Sequence, residues 1–145
     1  MNDIHLSHNE LTIKQLTQHL TLCDQENAGY ISNRVDIPTY AVKLFNSACR
    51  LEAWSGQKLT GTLIYYKNSP PTAFVSHIGV YLDFRGKGIA DRLVSLLIEQ
   101  LMADKVMDSI ELEVDRQNLA AINLYKKYGF ITKQLGDTLI MMKKV

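Results

Sequence analysis

The stretch FVSHIGVYLDFRGKGIADRLVSLLIEQL, Phe74 to Leu101, joins three local patterns without a break. An apolar, β-branched run comes first, the loop Arg85-Gly86-Lys87-Gly88 follows, and leucines at helical spacing complete the stretch. This order predicts a strand, a loop and the start of a helix. Backbone N–H groups at a helix start lack partners and lie at the positive end of the helix dipole, so an anion is expected there.

The loop residues themselves favour a ligand of the phosphate type. Gly86 and Gly88 lack the Cβ atoms that would keep a ligand away from the backbone, and Arg85 and Lys87 add positive charge. Neither GxxxxGK[ST] nor the third glycine of a dinucleotide-binding loop is present. From these residues alone, a plain glycine turn before a helix remains the alternative.

Hydrophobic periodicity and turn residues predict the other elements. The strands are expected to alternate with helices after an initial antiparallel meander, which is a mixed α/β (α+β) fold in one domain, residues 1–145. The helices are expected at Leu11 to Cys23, from Asp36-Ile37-Pro38 onward, at Ile89 to Asp104, and at Asn118 to Tyr128 with Gly129 as C-cap. The strands are expected at Cys49 to Ser55, Leu59 to Lys67, Ala73 to Leu82 and Ser109 to Asp115, and in a last hairpin, Phe130 to Gln134 and Thr138 to Lys143, around Gly136-Asp137.

Composition narrows the class of protein. The 145 residues are 46% hydrophobic and carry a net charge of +1, which disfavours nucleic acid or an anionic membrane as partner. Cys23 and Cys49 lie far apart in sequence, with no CxxC and no Cys/His ligand spacing, so we expect neither a disulfide nor a metal. No signal peptide and no run of roughly 20 apolar residues is present, so a cytoplasmic protein is expected.

A family resemblance rests on the loop and on a second segment. Arg85 to Ala90 matches the R/Q-x-x-G-x-G/A signature of the GNAT superfamily of acyl-CoA-dependent N-acetyltransferases. Downstream, Leu112-Glu113-Val114, Asn118, Ala121-Ile122, Leu124-Tyr125 and Tyr128-Gly129-Phe130 resemble the family's second motif in order and spacing. Leu82 departs from the family pattern, in which proline is common. The resemblance implies a central, mostly antiparallel twisted sheet with splayed middle strands and helices on both faces.

The resemblance also implies how acetyl-CoA would bind. Its pyrophosphate would lie on the loop formed by Arg85, Gly86, Lys87, Gly88, Ile89 and Ala90. Its pantetheine would lie between the strand ending at Val80 and the strand Ile110 to Val114, with backbone groups of Val80 and Leu82 and with Asn118 as further contacts. An N–H group near Ile78 to Val80 would face the thioester oxygen.

Tyr125 is the expected acid. The resemblance places the matching tyrosine beside the coenzyme sulfur, and Tyr125 stands seven residues after Asn118, two helical turns away and on the same face. Packing in the core is the alternative for Tyr125, and a helix N-cap is an additional or alternative role for Asn118.

Glu113 is the expected base, by resemblance to ribosomal-protein N-terminal acetyltransferases. Glu111, Glu113 and Asp115 leave one face of their strand, and partial burial would raise their proton affinity. An exposed acidic stripe is the alternative. His77 is expected to be structural, because strand parity turns it away from the face of Ser76 and Phe74, from which other members take a base.

The expected reaction is direct attack of a primary amine on the thioester in a ternary complex. The turn at Gly136-Asp137 carries no long aromatic insertion to clamp a peptide terminus, which favours a small-molecule amine such as an amino sugar, amino acid, polyamine or drug. A protein N-terminal or lysine acetyltransferase, a member that uses another acyl group or acceptor, and a non-catalytic acyl-CoA-binding module are the alternatives. The chain is expected to be a monomer or homodimer.

Overall fold

The computed structural model describes residues 3–27 and 29–145. Its regular elements alternate between strands and helices, largely where the sequence patterns predict them. In chain order they are β1 Ile4–His8, α1 Ile13–Glu26, α2 Ile37–Ser47, β2 Cys49–Ser55, β3 Lys58–Tyr66, β4 Thr72–Val80, a 3₁₀ turn Leu82–Phe84, α3 Ile89–Asp104, β5 Ser109–Asp115, α4 Leu119–Lys127, β6 Ile131–Leu135 and β7 Thr138–Lys144.

The strands form a seven-stranded sheet in the order β1-β2-β3-β4-β5-β7-β6. Most of the sheet is antiparallel, whereas β4 and β5 run parallel from the pair Thr72 and Ser109 to the pair Val75 and Leu112. The paired register ends there, although the two strands continue to Val80 and Asp115. The expected fold, a mixed and mostly antiparallel sheet with splayed middle strands, is confirmed.

The chain divides into two compact units. The first comprises Met1–Ile64 and His77–Leu93, and the second comprises Tyr65–Ser76 and Val94–Val145. Each unit has its own set of fully buried apolar side chains. In the first unit this set includes Leu16, Leu20, Leu44, Leu51, Leu63, Ile89 and Leu93; in the second it includes Leu97, Leu101, Ile110, Leu112 and Met141. A single catalytic domain over residues 1–145 stays a prediction.

Local capping explains where the helices start. Thr12 and Gln15 form a reciprocal capping box before α1, and the Asp36 side chain accepts the Thr39 N–H at the start of α2. Pro38 lies in the first turn of α2, where its missing N–H costs no hydrogen bond. The sequence analysis recognised the capped start of α2 at Asp36, whereas it predicted α1 from apolar spacing and placed its start at Leu11, two residues before Ile13.

The sequence patterns missed β1. This strand pairs antiparallel with β2, from Ile4 opposite Ser55 to His8 opposite Leu51. A buried carboxylate in β2, Glu52, accepts the Ser7 hydroxyl at 2.6 Å and the Leu11 N–H at 3.2 Å. Since Ser7 and Leu11 lie more than 40 residues from Glu52, no pattern of neighbouring residues predicts the strand.

A second difference concerns the end of β4. We expected this strand to reach Leu82, but it ends at Val80, and Leu82 begins the 3₁₀ turn. The Tyr81 N–H donates to the Thr60 carbonyl at 2.9 Å. The turn bends the chain into the glycine loop, and therefore Leu82 does not present its backbone as a strand residue.

In the described part of the chain, no helix is both long and apolar enough to cross a bilayer.

Candidate functional site

The glycine loop has the backbone geometry that an anion site needs. Gly86 and Gly88 take positive φ angles of 76° and 77°, and a Cβ atom built on either would meet nothing within 4 Å. The helical bonding of α3 starts with the Arg92 N–H, which donates to the Gly88 carbonyl at 3.0 Å. N–H groups that precede it have no acceptor within the helix. The predicted strand, loop and helix start are confirmed, and the surroundings of the two glycines are open.

Arg85 and Leu82 already have partners within the first unit. The Arg85 Nε donates to the Val80 carbonyl at 2.9 Å, and its guanidinium lies 3.6 Å from the Glu26 carboxylate. The same carboxylate accepts the Leu82 N–H at 3.1 Å. Glu26, at the end of α1, had no role in the sequence interpretation. A phosphate that used these donors would replace Glu26 as their acceptor, and the cofactor roles of Arg85, Leu82 and Val80 stay predictions.

Lys87 supplies the positive charge of the loop. It is exposed, and its ammonium lies 5.5 Å from the centre of the Phe84 ring. A second lysine, Lys58 of β3, lies 5.3 Å from the centre of the same ring. One lysine of the pair is therefore in the signature loop, and the other is outside it.

In the second unit, the end of α4 holds Tyr125 by a Schellman motif. The Phe130 N–H donates to the Tyr125 carbonyl and the Gly129 N–H to the Lys126 carbonyl, both at 3.0 Å. Gly129 has a φ of 89°, the left-handed conformation that this motif requires. The rings of Tyr125 and Phe130 pack with centroids 5.6 Å apart, the apolar contact that accompanies the motif.

The Tyr125 side chain is buried, and this burial raises the pKa of the phenol above its usual value. A tyrosine is protonated at neutral pH even at its usual pKa of about 10, and burial shifts the pKa further in the same direction. Asn118 is the N-cap of α4, where its side chain accepts the Ala121 N–H at 3.2 Å. The capping role considered for Asn118 is confirmed; its role toward a cofactor stays a prediction.

The acidic strand β5 differs from the expectation. Glu111 forms an ion pair with Lys133 at 2.7 Å. Glu113 accepts the Thr138 hydroxyl at 2.8 Å and is exposed. The partial burial expected for Glu113 is therefore absent.

His77 contacts α1 rather than standing alone. Its Nε2 lies 3.1 Å from the Nε2 of His19, and the two rings meet edge to face. Cys23 lies one helical turn after His19 and next to it. Sequence reasoning missed His19 and Cys23 as a pair, and their spacing of four residues on one helix was the signal that could have found them.

The predicted site residues are thus distributed over both units. The first unit contains Val80, Leu82 and the loop residues Arg85, Gly86, Lys87, Gly88, Ile89 and Ala90. The second contains the expected acid and base, Tyr125 and Glu113, together with Asn118.

Comparison with known proteins identifies the family. The model of the acetyltransferase (GNAT) family matches residues 14–130, which include the loop and the whole of α4. The chain belongs to the GNAT acetyltransferase family. Members of this family use acetyl-CoA, and the open glycine loop at the start of α3 fits the pyrophosphate of that coenzyme.

Individual GNAT relatives differ in what their names say they acetylate. The chain is 31% identical to the N-alpha-acetyltransferase MAK3 of Arabidopsis thaliana over 117 residues, 77% of this chain and 58% of the relative. It is 33% identical to a streptothricin acetyltransferase of Escherichia coli over 85 residues, 59% of this chain and 48% of the relative. The chain thus spans about half the length of these curated relatives.

Solved GNAT structures agree on the fold. The crystal structure of Ard1 from Thermoplasma volcanium superposes with a TM-score of 0.78 at 21% identity, and the alignment covers 97% of each chain. At this identity the similarity supports the fold and leaves the acceptor open.

Proposed function

We propose that this protein is an acetyl-CoA-dependent N-acetyltransferase that transfers an acetyl group to a primary amine of a small molecule. The observation that carries the proposal is the loop Arg85 to Gly88, whose two glycines take positive φ and leave open space where a helix begins. The same chain matches the GNAT family over the loop and over the segment that contains Tyr125.

The first unit would bind the coenzyme largely through its backbone. N–H groups at the start of α3 would hold the pyrophosphate, and Lys87 would add charge at the loop. Val80, at the end of β4, would hydrogen-bond the pantetheine arm, with an N–H group of residues 78–80 facing the thioester oxygen. Acetyl-CoA supplies the activated acyl group. The protein's contribution is to hold the thioester and amine in line for direct attack.

Tyr125 would donate a proton to the thiolate that leaves. Its burial favours the protonated phenol, and the Schellman motif at Gly129 and Phe130 fixes its position at the end of α4. Retaining a protonated tyrosine in this place supports catalysis rather than coenzyme binding alone.

Glu113 remains the candidate base. An alkylamine with a pKa near roughly 10 is mostly protonated at neutral pH, so a proton must leave before attack. The exposure of Glu113 means that it would act through water or with direct access to solvent. Alignment of the amine and thioester would supply much of the rate without a strong base.

The turn between β6 and β7 supports a small acceptor. Only Gly136 and Asp137 connect the two strands, and Arg116 donates to the Gly136 carbonyl at 3.1 Å. This short connection has no insertion with which to enclose a peptide. Acetylation of protein N-termini is the second candidate, and the similarity to the Arabidopsis N-alpha-acetyltransferase favours it.

The proposed setting is cytoplasmic, with the chain as a monomer or homodimer and no metal required for the transfer.

A thiol-release assay with acetyl-CoA tests both candidates. The acceptor panel should contain amino sugars, amino acids, polyamines, aminoglycosides and streptothricin-type antibiotics beside short peptides with free N-termini. Calorimetry with acetyl-CoA alone measures binding. We expect binding and turnover with one class of small amine. Turnover with peptides alone would overturn the small-molecule acceptor; binding without any turnover would favour a coenzyme-binding module; and no binding would overturn the role of the loop.

A further inference from the structure

A second cluster of reactive side chains lies in the first unit and has no part in the proposed transfer. His19 and Cys23 of α1 meet His77 of β4, and one ligand atom from each residue lies within 4.8 Å of the others. His19 and Cys23 are buried, and His77 is half-buried. The three residues come from a helix and a strand that are more than 50 positions apart in the chain.

The two distances from the His19 Nε2 are close to those of a tetrahedral zinc site. The two Nε2 atoms of His19 and His77 are 3.1 Å apart, and the Cys23 Sγ is 3.6 Å from the His19 Nε2. With Zn–N bonds near 2.05 Å and a Zn–S bond near 2.3 Å, tetrahedral angles place two nitrogens about 3.3 Å apart and nitrogen and sulfur about 3.6 Å apart. Two of the three separations are thus close to those that the metal imposes, and the third, between the Cys23 Sγ and a nitrogen of His77, is no more than 4.8 Å.

The hydrogen-bonding capacity of His19 is exceeded in this arrangement. Its Nε2 has the Thr62 hydroxyl at 2.8 Å in addition to His77 and Cys23. A single ring nitrogen either donates one proton or offers one lone pair, so it cannot satisfy three polar neighbours. A cation bound to the facing nitrogens and the sulfur would satisfy His77 and Cys23 together with His19, and the Thr62 hydroxyl would then need another acceptor, because a metal-bound Nε2 has no lone pair left.

The protonation states suit a metal at two of the three ligands. Burial lowers the pKa of both histidines, that of His77 to about 4 and that of His19 well below its usual value, so both rings are neutral at pH 7. Burial raises the pKa of the Cys23 thiol to about 12, so the metal-free thiol keeps its proton. Binding of Zn²⁺ would form one Zn–S and two Zn–N bonds and release that proton to solvent.

The strand itself is adapted to the cluster. A Cβ atom on Gly79 would lie 2.9 Å from the Cys23 Sγ and 2.9 Å from the His77 Nε2. A Cβ atom is essentially never found this close to an atom to which it is not bonded, so a side chain at this position would displace both groups. Gly79 is therefore the residue that allows the sulfur and the imidazole to approach one point.

We propose that His19, Cys23 and His77 form a zinc site that links α1 to β4, with water as the fourth ligand. A set of two imidazoles and one thiolate suits Zn²⁺, and three protein ligands leave one coordination position open. The argument for the site does not depend on the identity of the acceptor. It departs from the sequence-based expectation of no metal, because the ligands combine a helical spacing with a distant strand.

Cobalt and zinc titrations of the tag-free full chain test the site. The chain, stripped with a chelator, should bind one Zn²⁺ with a dissociation constant below about 1 µM. Co²⁺ should produce the near-ultraviolet thiolate-to-cobalt band and the visible bands of tetrahedral cobalt. In Cys23→Ala the thiolate band should be absent, and zinc affinity should fall by at least about 100-fold.

Matched variants separate the cluster from other cysteines and histidines. Cys49→Ala removes the other cysteine, and His8→Ala removes an exposed histidine; each should keep the cobalt spectrum and change zinc affinity less than about 2-fold. His77→Ala should lose affinity as Cys23→Ala does. Absence of binding to the wild-type chain would overturn the proposal, as would loss of the thiolate band in Cys49→Ala or its retention in Cys23→Ala.

A measurement on the wild-type chain keeps the proposal testable if the variants do not fold. X-ray absorption of the zinc form should show one sulfur and three lighter ligands, at least two of them imidazole. A shell without sulfur would overturn the assignment. In this form Tm should also rise by about 5 °C or more, since the ion binds the folded state.

Discussion

The loop that opens α3 and the end of α4 are the two regions with the family signature, and they are built in opposite ways. The loop is exposed, and its two glycines make backbone available to a ligand. The end of α4 buries Tyr125 against Phe130 and uses its backbone groups to complete the helix. In the proposed function, the first region would therefore bind through groups common to all residues, whereas the second would act through one side chain.

This difference decides which changes each region tolerates. In the loop, an added Cβ atom matters more than the chemistry of the side chain. At the end of α4, removal of a single oxygen would remove the proposed acid while the packing stays the same. The following experiments test that contrast from the largest expected effect to the smallest.

Tyr125→Phe should have the largest effect on turnover. Loss of the phenol proton should lower kcat by about 100-fold or more, the scale of general acid catalysis, with little change in acetyl-CoA affinity. Steady-state kinetics with calorimetry measure both quantities. Tyr30→Phe, at an exposed tyrosine that stacks with Arg34, is the control and should leave kcat unchanged. Full turnover in Tyr125→Phe would show that this tyrosine only packs in the core, and it would contradict the proposal that the end of α4 acts through one side chain.

Gly88→Ala should reduce coenzyme binding. The new methyl group would lie where the pyrophosphate approaches, and the loss of about two hydrogen bonds should weaken acetyl-CoA by roughly 30-fold. Gly56→Ala is a matched control, because Gly56 in the β2–β3 turn also has positive φ and open surroundings. Both variants should lose about 1–2 kcal/mol of unfolding free energy from left-handed alanine. Equal coenzyme affinities in the two variants would contradict the assignment of the loop.

Glu113→Gln tests side-chain chemistry at an exposed position. If Glu113 accepts the amine proton, kcat/KM near neutral pH should fall by about 10-fold, a reduced effect because water can partly replace an exposed base. Glu111→Gln removes a neighbouring carboxylate that is paired with Lys133, and it should change kcat/KM less than 2-fold. Similar pH–rate profiles in Glu113→Gln and the wild-type chain would assign the proton to water.

Lys87→Ala should have the smallest effect. Exposed charges contribute little in salt, so acetyl-CoA should bind about 3-fold more weakly, and the difference should shrink as ionic strength rises. Lys58→Ala removes the other lysine at the Phe84 ring and is the control. A loss in Lys87→Ala that persists in high salt would show that this side chain makes a specific bond.

Elements with complete local signals were predicted closely. The range of α3 agrees with the prediction residue for residue, as do the ranges of β2 and β5. Asn118 and Gly129 bracket α4 because an N-cap and a left-handed C-terminal residue act on neighbours within one turn. These signals depend on short-range hydrogen bonds, and the residues that form them are close together in the sequence.

Predictions that depended on distant partners were less accurate. β1 forms because its backbone pairs with the edge of β2 and the Ser7 hydroxyl donates to the Glu52 carboxylate. β4 ends before Leu82, whose N–H donates to Glu26 of α1. Glu113 is exposed, and its carboxylate accepts the hydroxyl of Thr138 in β7. None of these partners is a neighbour in sequence.

The sequence by itself determined the family, the order of the helices and strands from α1 onward, and the loop that opens α3. The backbone conformation of a glycine loop and of a helix start depends mainly on residues that are adjacent in the sequence. Only the tertiary structure decided which side chains are buried and which meet. His19 and Cys23 share a helical face in any α1, but His77 joins them only when β4 packs beside that helix. Burial and long-range contact depend on the whole fold; burial raises the pKa of Tyr125, and long-range contact brings together the residues of the proposed zinc site.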